Sequence, residues 1–190
     1  MCQDGRLCPH LHLPLQGGDN RLLQRMNRHY TTEDFAEQAA EIRGLLPEVA
    51  ISTDIIVGFP GETEEMFANS LTFVERLGFA KVHVFPYSRR VGTPAASYAQ
   101  QVPEDVKKER VQRMQEVAAK SAACFAAAFV GRTMDVLFEH PGSDGRPTGL
   151  TGNYLRVKLP PQKEDLAGRT MKVRLWELRE DWLEGSLSET

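Results

Sequence analysis

The chain has 190 residues, 41% of them hydrophobic and 26% charged, with a formal net charge of −3. That mix excludes wholesale disorder and a uniformly basic polyanion binder, while leaving room for a local basic face. Three cysteines are too few and too scattered for a disulfide framework, no signal peptide is read at the start, and the longest nearly apolar stretch, residues 121–130, falls short of the roughly 20 a bilayer span needs. The expected setting is a reducing cytoplasm with no membrane partner.

Residues 10–15 alternate polar and apolar side chains and read as a buried strand. Such a strand needs neighbours, which nothing ahead of it supplies, so the chain reads as the tail of something longer. Thr31 and Thr32 before Glu33 and Asp34 mark a helix start; Phe35, Ala39, Ile42 and Leu46 keep its period, and Pro47 ends it. Residues 49–57 form a nearly continuous β-favouring run, typical of a central parallel strand, that Gly58-Phe59-Pro60-Gly61 breaks. Thr63 then caps a helix with Phe67, Leu71 and Val74 on one face and Gly78 at its end. A strand over 80–85 follows. A loop rich in Gly, Pro, Ser and Ala leads to Pro103, the first residue of a long helix. Val111, Met114, Ala118, Ala122, Phe125 and Phe129 form its expected buried stripe, with Cys124 as a small apolar member, and Gly131 stops it.

Strand–helix alternation with short connections predicts a right-handed βαβ series, either an open sheet or part of a (β/α) barrel. After Gly131 the pattern changes to short strands over 133–139, 154–159, 171–176 and 183–187 separated by turns. They predict a small antiparallel barrel. The fold class is therefore α/β followed by a β-barrel, with domains over 1–130 and 131–190 and the long helix as connector.

Three successive strands end in comparable corners: Gln16-Gly17-Gly18, Gly58-Phe59-Pro60-Gly61, and Tyr87-Ser88 leading to Gly92. Strand ends of α/β folds are where ligands bind, and glycine lets a ligand approach the backbone. Three in register point to one rim and one site. Asp54 is a carboxylate inside an apolar strand; if buried it needs a hydrogen bond or a pair. Its two readings, a satisfied structural Asp and a cofactor contact, carry equal weight. His10 and His12 alternate with apolar residues and are read as facing the interior, forming hydrogen bonds.

The ordered series His10-x-His12-x-Pro14-x-Gln16, Leu23-x-x-Met26-x-Arg28-x-Tyr30, residues 54–63, and Phe85-x-Tyr87-Ser88-x-Arg90-x-Gly92-Thr93 resembles the radical S-adenosylmethionine methylthiotransferases. The tail resembles their TRAM domain, a small OB-like RNA-binding barrel. Val102-Pro103, residues 107–110 and 153–157 look closest to the branch acting on threonylcarbamoyladenosine in tRNA. The resemblance implies a partial (β/α) barrel, [4Fe-4S] clusters, S-adenosylmethionine as cofactor and tRNA as partner. It places Gln16, Asp54, Gly58, Glu62, Tyr87 and Ser88 against S-adenosylmethionine. The cluster-binding Cys-x-x-x-Cys-x-x-Cys motif is absent from the sequence: Cys2, Cys8 and Cys124 do not have that spacing, so no metal ligand is assigned and this chain alone is expected to be inactive. Gln16 is followed by Gly17, where the family usually has Ser.

Residues 132–174 carry eight Lys or Arg against five Asp or Glu, a local net of +3, whereas 176–190 carry a local net of −4. Arg156 and Lys158 share one strand face, Lys172 and Arg174 another, and Tyr154 lies in register with Arg156 to stack on a base. The alternative is that these are solvated outer faces of antiparallel strands. Two further readings stay open: a non-catalytic RNA-binding module, and another radical enzyme such as an oxygen-independent coproporphyrinogen oxidase. The barrel tail and the Met26-x-Arg28-x-Tyr30 stretch speak against the second.

Overall fold

A computed structural model describes residues 7–141 and 144–188; Cys2 lies outside them. The chain divides into two compact units. One is built from residues 11–47 and 51–122, the other from residues up to 10, 48–50 and from 123 onward.

In the first unit, three strands in the order β1 (His10–His12), β2 (Ala50–Val57) and β3 (Lys81–Pro86) form one sheet. β2 and β3 are parallel, with Asp54 opposite His83 and Ile56 opposite Phe85. The chain after β1 continues along β2: Leu13 N–H donates to Ser52 O and Gln16 N–H to Asp54 O. Gln16 reaches this position with φ of 72°. On β2, Ile51, Thr53, Ile55 and Val57 are buried, while Asp54 and Ile56 on the opposite face are half-open.

Helices α1 (Asn20–Arg25) and α2 (Thr32–Leu45) lie between β1 and β2 in sequence, and α3 (Glu64–Leu77) between β2 and β3. Thr31 caps α2 in a reciprocal box with Asp34, as the Thr-Thr-Glu-Asp run predicts. Thr63 caps α3, and Gly78 ends it in the left-handed conformation. The buried face of α3 is Phe67, Ser70, Phe73, Val74 and Leu77; Leu71 stands at its border rather than its centre. α1 was not foreseen, because six residues are too short to show a period. Its start is set by Asp19, whose carboxylate accepts from the N–H groups of Arg21 and Leu22. Burial pushes the Asp19 carboxyl up, but Arg21, Asn69 and the Leu22 N–H together hold it below the ordinary value.

The long helix α4 (Glu104–Ala127) buries Lys107, Arg110, Met114 and Ser121, not the expected apolar stripe. Of that stripe within the helix only Met114 is fully buried, and Cys124 is exposed. The physical reason is that the inward positions run 107, 110, 114, 121, and two of them are cations that a search for apolar periodicity discards.

In the second unit five strands close a barrel in the order β4 (Thr133–Phe138), β5 (Thr148–Thr151), β6 (Arg156–Lys158), β8 (Leu183–Leu187), β7 (Thr170–Leu178). Its core is Phe129, Val136, Phe138, Val157, Leu159, Leu166, Val173, Leu175 and Leu183. Two expectations need correction. The barrel is not wholly antiparallel, because β6 and β8 run parallel. The strand over 154–159 shrinks to three residues, and Tyr154 precedes it in a turn with φ of 64°. β5 was missed because it is four residues with Gly149 inside; a Cβ there would meet the Leu137 carbonyl oxygen of the paired strand. Among the described residues, no helix is long and apolar enough to cross a membrane.

Candidate functional site

The sheet brings the three strand termini to the same end. Gln16 bridges to Ile55, and Ile56 N–H donates to Gln16 O at 3.0 Å. Gly58 follows Val57, and Tyr87 N–H donates to Val57 O at 2.8 Å. Beside the third terminus opens a cavity of about 440 Å³ lined by Tyr87, Ser88, Glu104 and Lys107 among others. That size is in the range that holds small-molecule ligands. Gln16, Asp54, Gly58 and Glu62 do not line it.

Gly58 and Glu62 are tied to α4 by contacts within the protein. Gly58 has φ of 72°, and a Cβ there would run into the aliphatic stem of Lys107. The close approach that glycine permits is therefore made by this protein's own lysine. Glu62 Oε2 accepts from Gly58 N–H at 2.6 Å and from Arg110 Nη1 at 2.8 Å. The Glu62 side chain is 1% exposed and that of Arg110 6%. Burial pushes the Glu62 carboxyl above its usual value, against the pull of the Gly58 N–H and the Arg110 guanidinium. Glu62 is thus a strut that fixes the Gly58 turn to α4.

Lys107 and Arg110 are the residues that sequence reasoning missed. Lys107 Nζ donates to Tyr87 O at 3.2 Å and pairs with Glu104 at 2.7 Å, and it lies 5.5 Å from the Tyr87 ring centre. The signal that could have found them is their spacing ahead of Met114 on the same helical face. The Tyr87 ring packs edge-on against Phe59 at 5.2 Å, and its hydroxyl is buried without a hydrogen-bond partner among the described residues.

Asp54 stands on the open face of the sheet, 3.2 Å from His12 Nε2. In the barrel, Arg156 pairs with Asp181, Lys158 with Asp144, and Lys172 with Asp135. Lys158 also lies 4.5 Å over the Trp182 ring, and its ammonium holds the Asp144 carboxyl below the ordinary value. Arg174 is exposed opposite Thr133 and Ser186. Trp176, 47% exposed and two residues on along the same face of β7, was not picked out from the sequence. Tyr154 is exposed but packs against the His10 ring in a tilted arrangement, with centroids 4.5 Å apart.

Residues 3–74 match the model of the Radical SAM superfamily. The chain is 42% identical over 184 residues to a tRNA-2-methylthio-N(6)-dimethylallyladenosine synthase of Acetivibrio thermocellus, covering 96% of this chain and 38% of the relative. It is 38% identical over 174 residues to the threonylcarbamoyladenosine tRNA methylthiotransferase of Bacillus subtilis, covering 90% and 38%. Over nearly its whole length the chain is similar to radical SAM tRNA methylthiotransferases. It spans a little over a third of the length of these relatives. Among solved structures, the coproporphyrinogen III oxidase of Escherichia coli, described as a radical SAM enzyme, superposes with a TM-score of 0.50 at 12% identity, covering 96% of this chain and 46% of that one. That likeness shows the (β/α) fold alone.

The family implies S-adenosylmethionine and iron–sulfur clusters. Among the described residues the donor set does not fit a cluster, since Cys8 and Cys124 are single exposed thiols far apart in sequence. The cavity offers polar groups to a ligand through Ser88, Glu104 and Lys107.

Proposed function

We propose that this chain supplies the S-adenosylmethionine seat and the RNA-contacting barrel of a methylthiotransferase acting on a hypermodified adenosine of tRNA. The observation that carries the reading is the cavity of about 440 Å³, lined by Tyr87, Ser88, Glu104 and Lys107, beside three converging strand ends. Ser88, exposed at the cavity, offers its hydroxyl to the ligand, and Tyr87 forms part of the wall. Lys107 holds the Tyr87 carbonyl, and the Glu62–Arg110 pair holds the Gly58 turn. Gln16, Gly58 and Glu62 act as positioning residues behind the seat. S-adenosylmethionine, when bound, supplies the radical precursor and the methyl group in this family; the residues of this chain bind it and exclude water.

The β-barrel is the TRAM-like, OB-related RNA-binding part, supported by the basic run of β6 and β7. The two relatives differ in the modified adenosine they name. Val102-Pro103 and the stretches 107–110 and 153–157 favour the threonylcarbamoyl branch. A soluble cytoplasmic setting follows from tRNA as partner.

Titration calorimetry of S-adenosylmethionine into the 190-residue chain tests the reading. Saturable binding is expected, weakened about 2- to 10-fold by Ser88→Ala through the loss of one hydrogen bond. Equal binding by the Ala variant would remove the Ser88 hydroxyl from the site.

A further inference from the structure

We propose that His12, Asp54 and His83, on the open face of the three-stranded sheet, form a binding site for a divalent transition-metal ion of the Zn²⁺, Co²⁺ or Fe²⁺ class. The three side chains come from β1, β2 and β3, one from each strand, and Asp54 and His83 are directly opposite in register. One ligand atom from each lies within 4.8 Å of the others. His12 Nε2 and Asp54 Oδ2 are already 3.2 Å apart. That is close to the separation of about 3 Å that two ligands take in adjacent positions about 2.0–2.2 Å from one ion. Closing the third corner requires turning side chains only, since the strands hold the backbones in place.

The chemistry of the donors selects the ion. Two imidazoles and one carboxylate suit borderline transition ions and leave open positions, whereas hard Mg²⁺ and Ca²⁺ prefer all-oxygen shells. The side chains of His12 and Asp54 are 41% and 28% exposed, so an ion can enter from solvent.

Ser52 supplies an outer partner that suits both the apo and the metal-bound state. Its Oγ lies 3.0 Å from His12 Nδ1 and 3.4 Å from Leu11 O. Without an ion, the hydroxyl can donate to Nδ1 while Nε2–H donates to Asp54. With an ion on Nε2 and Asp54, that proton sits on Nδ1 and donates to Ser52 Oγ, whose own proton turns to Leu11 O. This is the hydrogen bond by which metal-bound histidines are oriented. His83, whose ring is stacked on Phe85 and edge-on to His12, completes the set. Lys81 precedes His83 by two positions on the same face and adds a positive charge at that edge. The site is separate from the Tyr87 cavity lining and does not rest on the S-adenosylmethionine reading.

The test uses the chelator-treated, untagged 190-residue chain titrated with Co²⁺, followed by visible d–d absorption, and with Zn²⁺ by competition. One ion per chain is expected. Asp54→Asn and His83→Gln should each weaken binding at least 10-fold and alter the Co²⁺ spectrum, and Ser52→Ala should weaken it about 10- to 100-fold. His29→Gln, an exposed histidine outside the cluster, should leave it unchanged. Circular dichroism and melting of each apo variant separate loss of ligand from loss of fold; His83→Gln, half-open on a strand, is the variant that keeps the fold. Binding that survives Asp54→Asn and His83→Gln in folded protein, or the lack of stoichiometric binding by the wild type at micromolar Co²⁺, overturns the proposal.

Discussion

Glu62→Ala is expected to destabilise the α/β unit by about 3–5 kcal/mol, because it leaves a buried arginine and a buried backbone N–H without their acceptor. The size follows from the burial of both partners rather than from ion pairing as such, since exposed pairs are worth about 0–1 kcal/mol. Glu62→Gln should cost less than Glu62→Ala, as its carbonyl oxygen can still accept from Gly58 N–H and Arg110, while Glu64 at 3.4 Å is left as the counter-charge of Arg110. The direction of the Glu62 shift sharpens this contrast. A carboxyl held above its unfolded value of about 4.3 contributes stability that is full below that pH and is lost as pH rises through the folded-state value. Glu62→Gln escapes that loss and should therefore gain on the wild type between acidic and neutral pH. Denaturant melts across that range check both statements. An Ala variant within 1 kcal/mol of wild type would show that the pair is not the strut inferred.

The second large effect concerns RNA. Arg174→Ala together with Trp176→Ala should lower affinity for tRNA about 10- to 100-fold and reduce the steepness of its salt dependence by about one phosphate contact. Arg174 is exposed on the outer face of β7, and Trp176 offers a flat ring on that face. Arg156, Lys158 and Lys172 each sit against an acid, so their charge is partly neutralised before RNA arrives. Replacing Arg156 and Lys158 should therefore have a smaller effect. Filter binding at several salt concentrations distinguishes the two pairs. Equal losses would mean that the acid partners give way freely and that the outer face of β7 has no special role.

Much of the frame was legible because it rests on local chemistry. Thr31, Thr63 and Gly78 cap helices where their side chains or backbone freedom demand it, and the β-favouring run ending at Gly58 is the central strand. The convergence of Gln16, Gly58 and Tyr87 followed from three strand ends in a parallel series. What stayed hidden depended on pairings across the chain. Nothing local reveals that Arg110, 48 residues on from Glu62, takes its carboxylate. Lys107 and Arg110 were passed over because charged residues rarely fill the inward face of a helix. Tyr154 alternates with Arg156 in sequence, but its left-handed backbone puts it in a turn. The His12–Asp54–His83 cluster joins three strands, and only the register between them brings it together.

The most direct measurement is hydrogen–deuterium exchange of the 190-residue chain with and without S-adenosylmethionine. Slower exchange at the amides of Tyr87, Ser88 and Arg89 and over residues 101–107 is the expected result, because these line the cavity. Unchanged exchange there at a saturating ligand concentration, or protection confined to the barrel strands, would contradict the assignment of the strand-end cavity as the nucleoside seat.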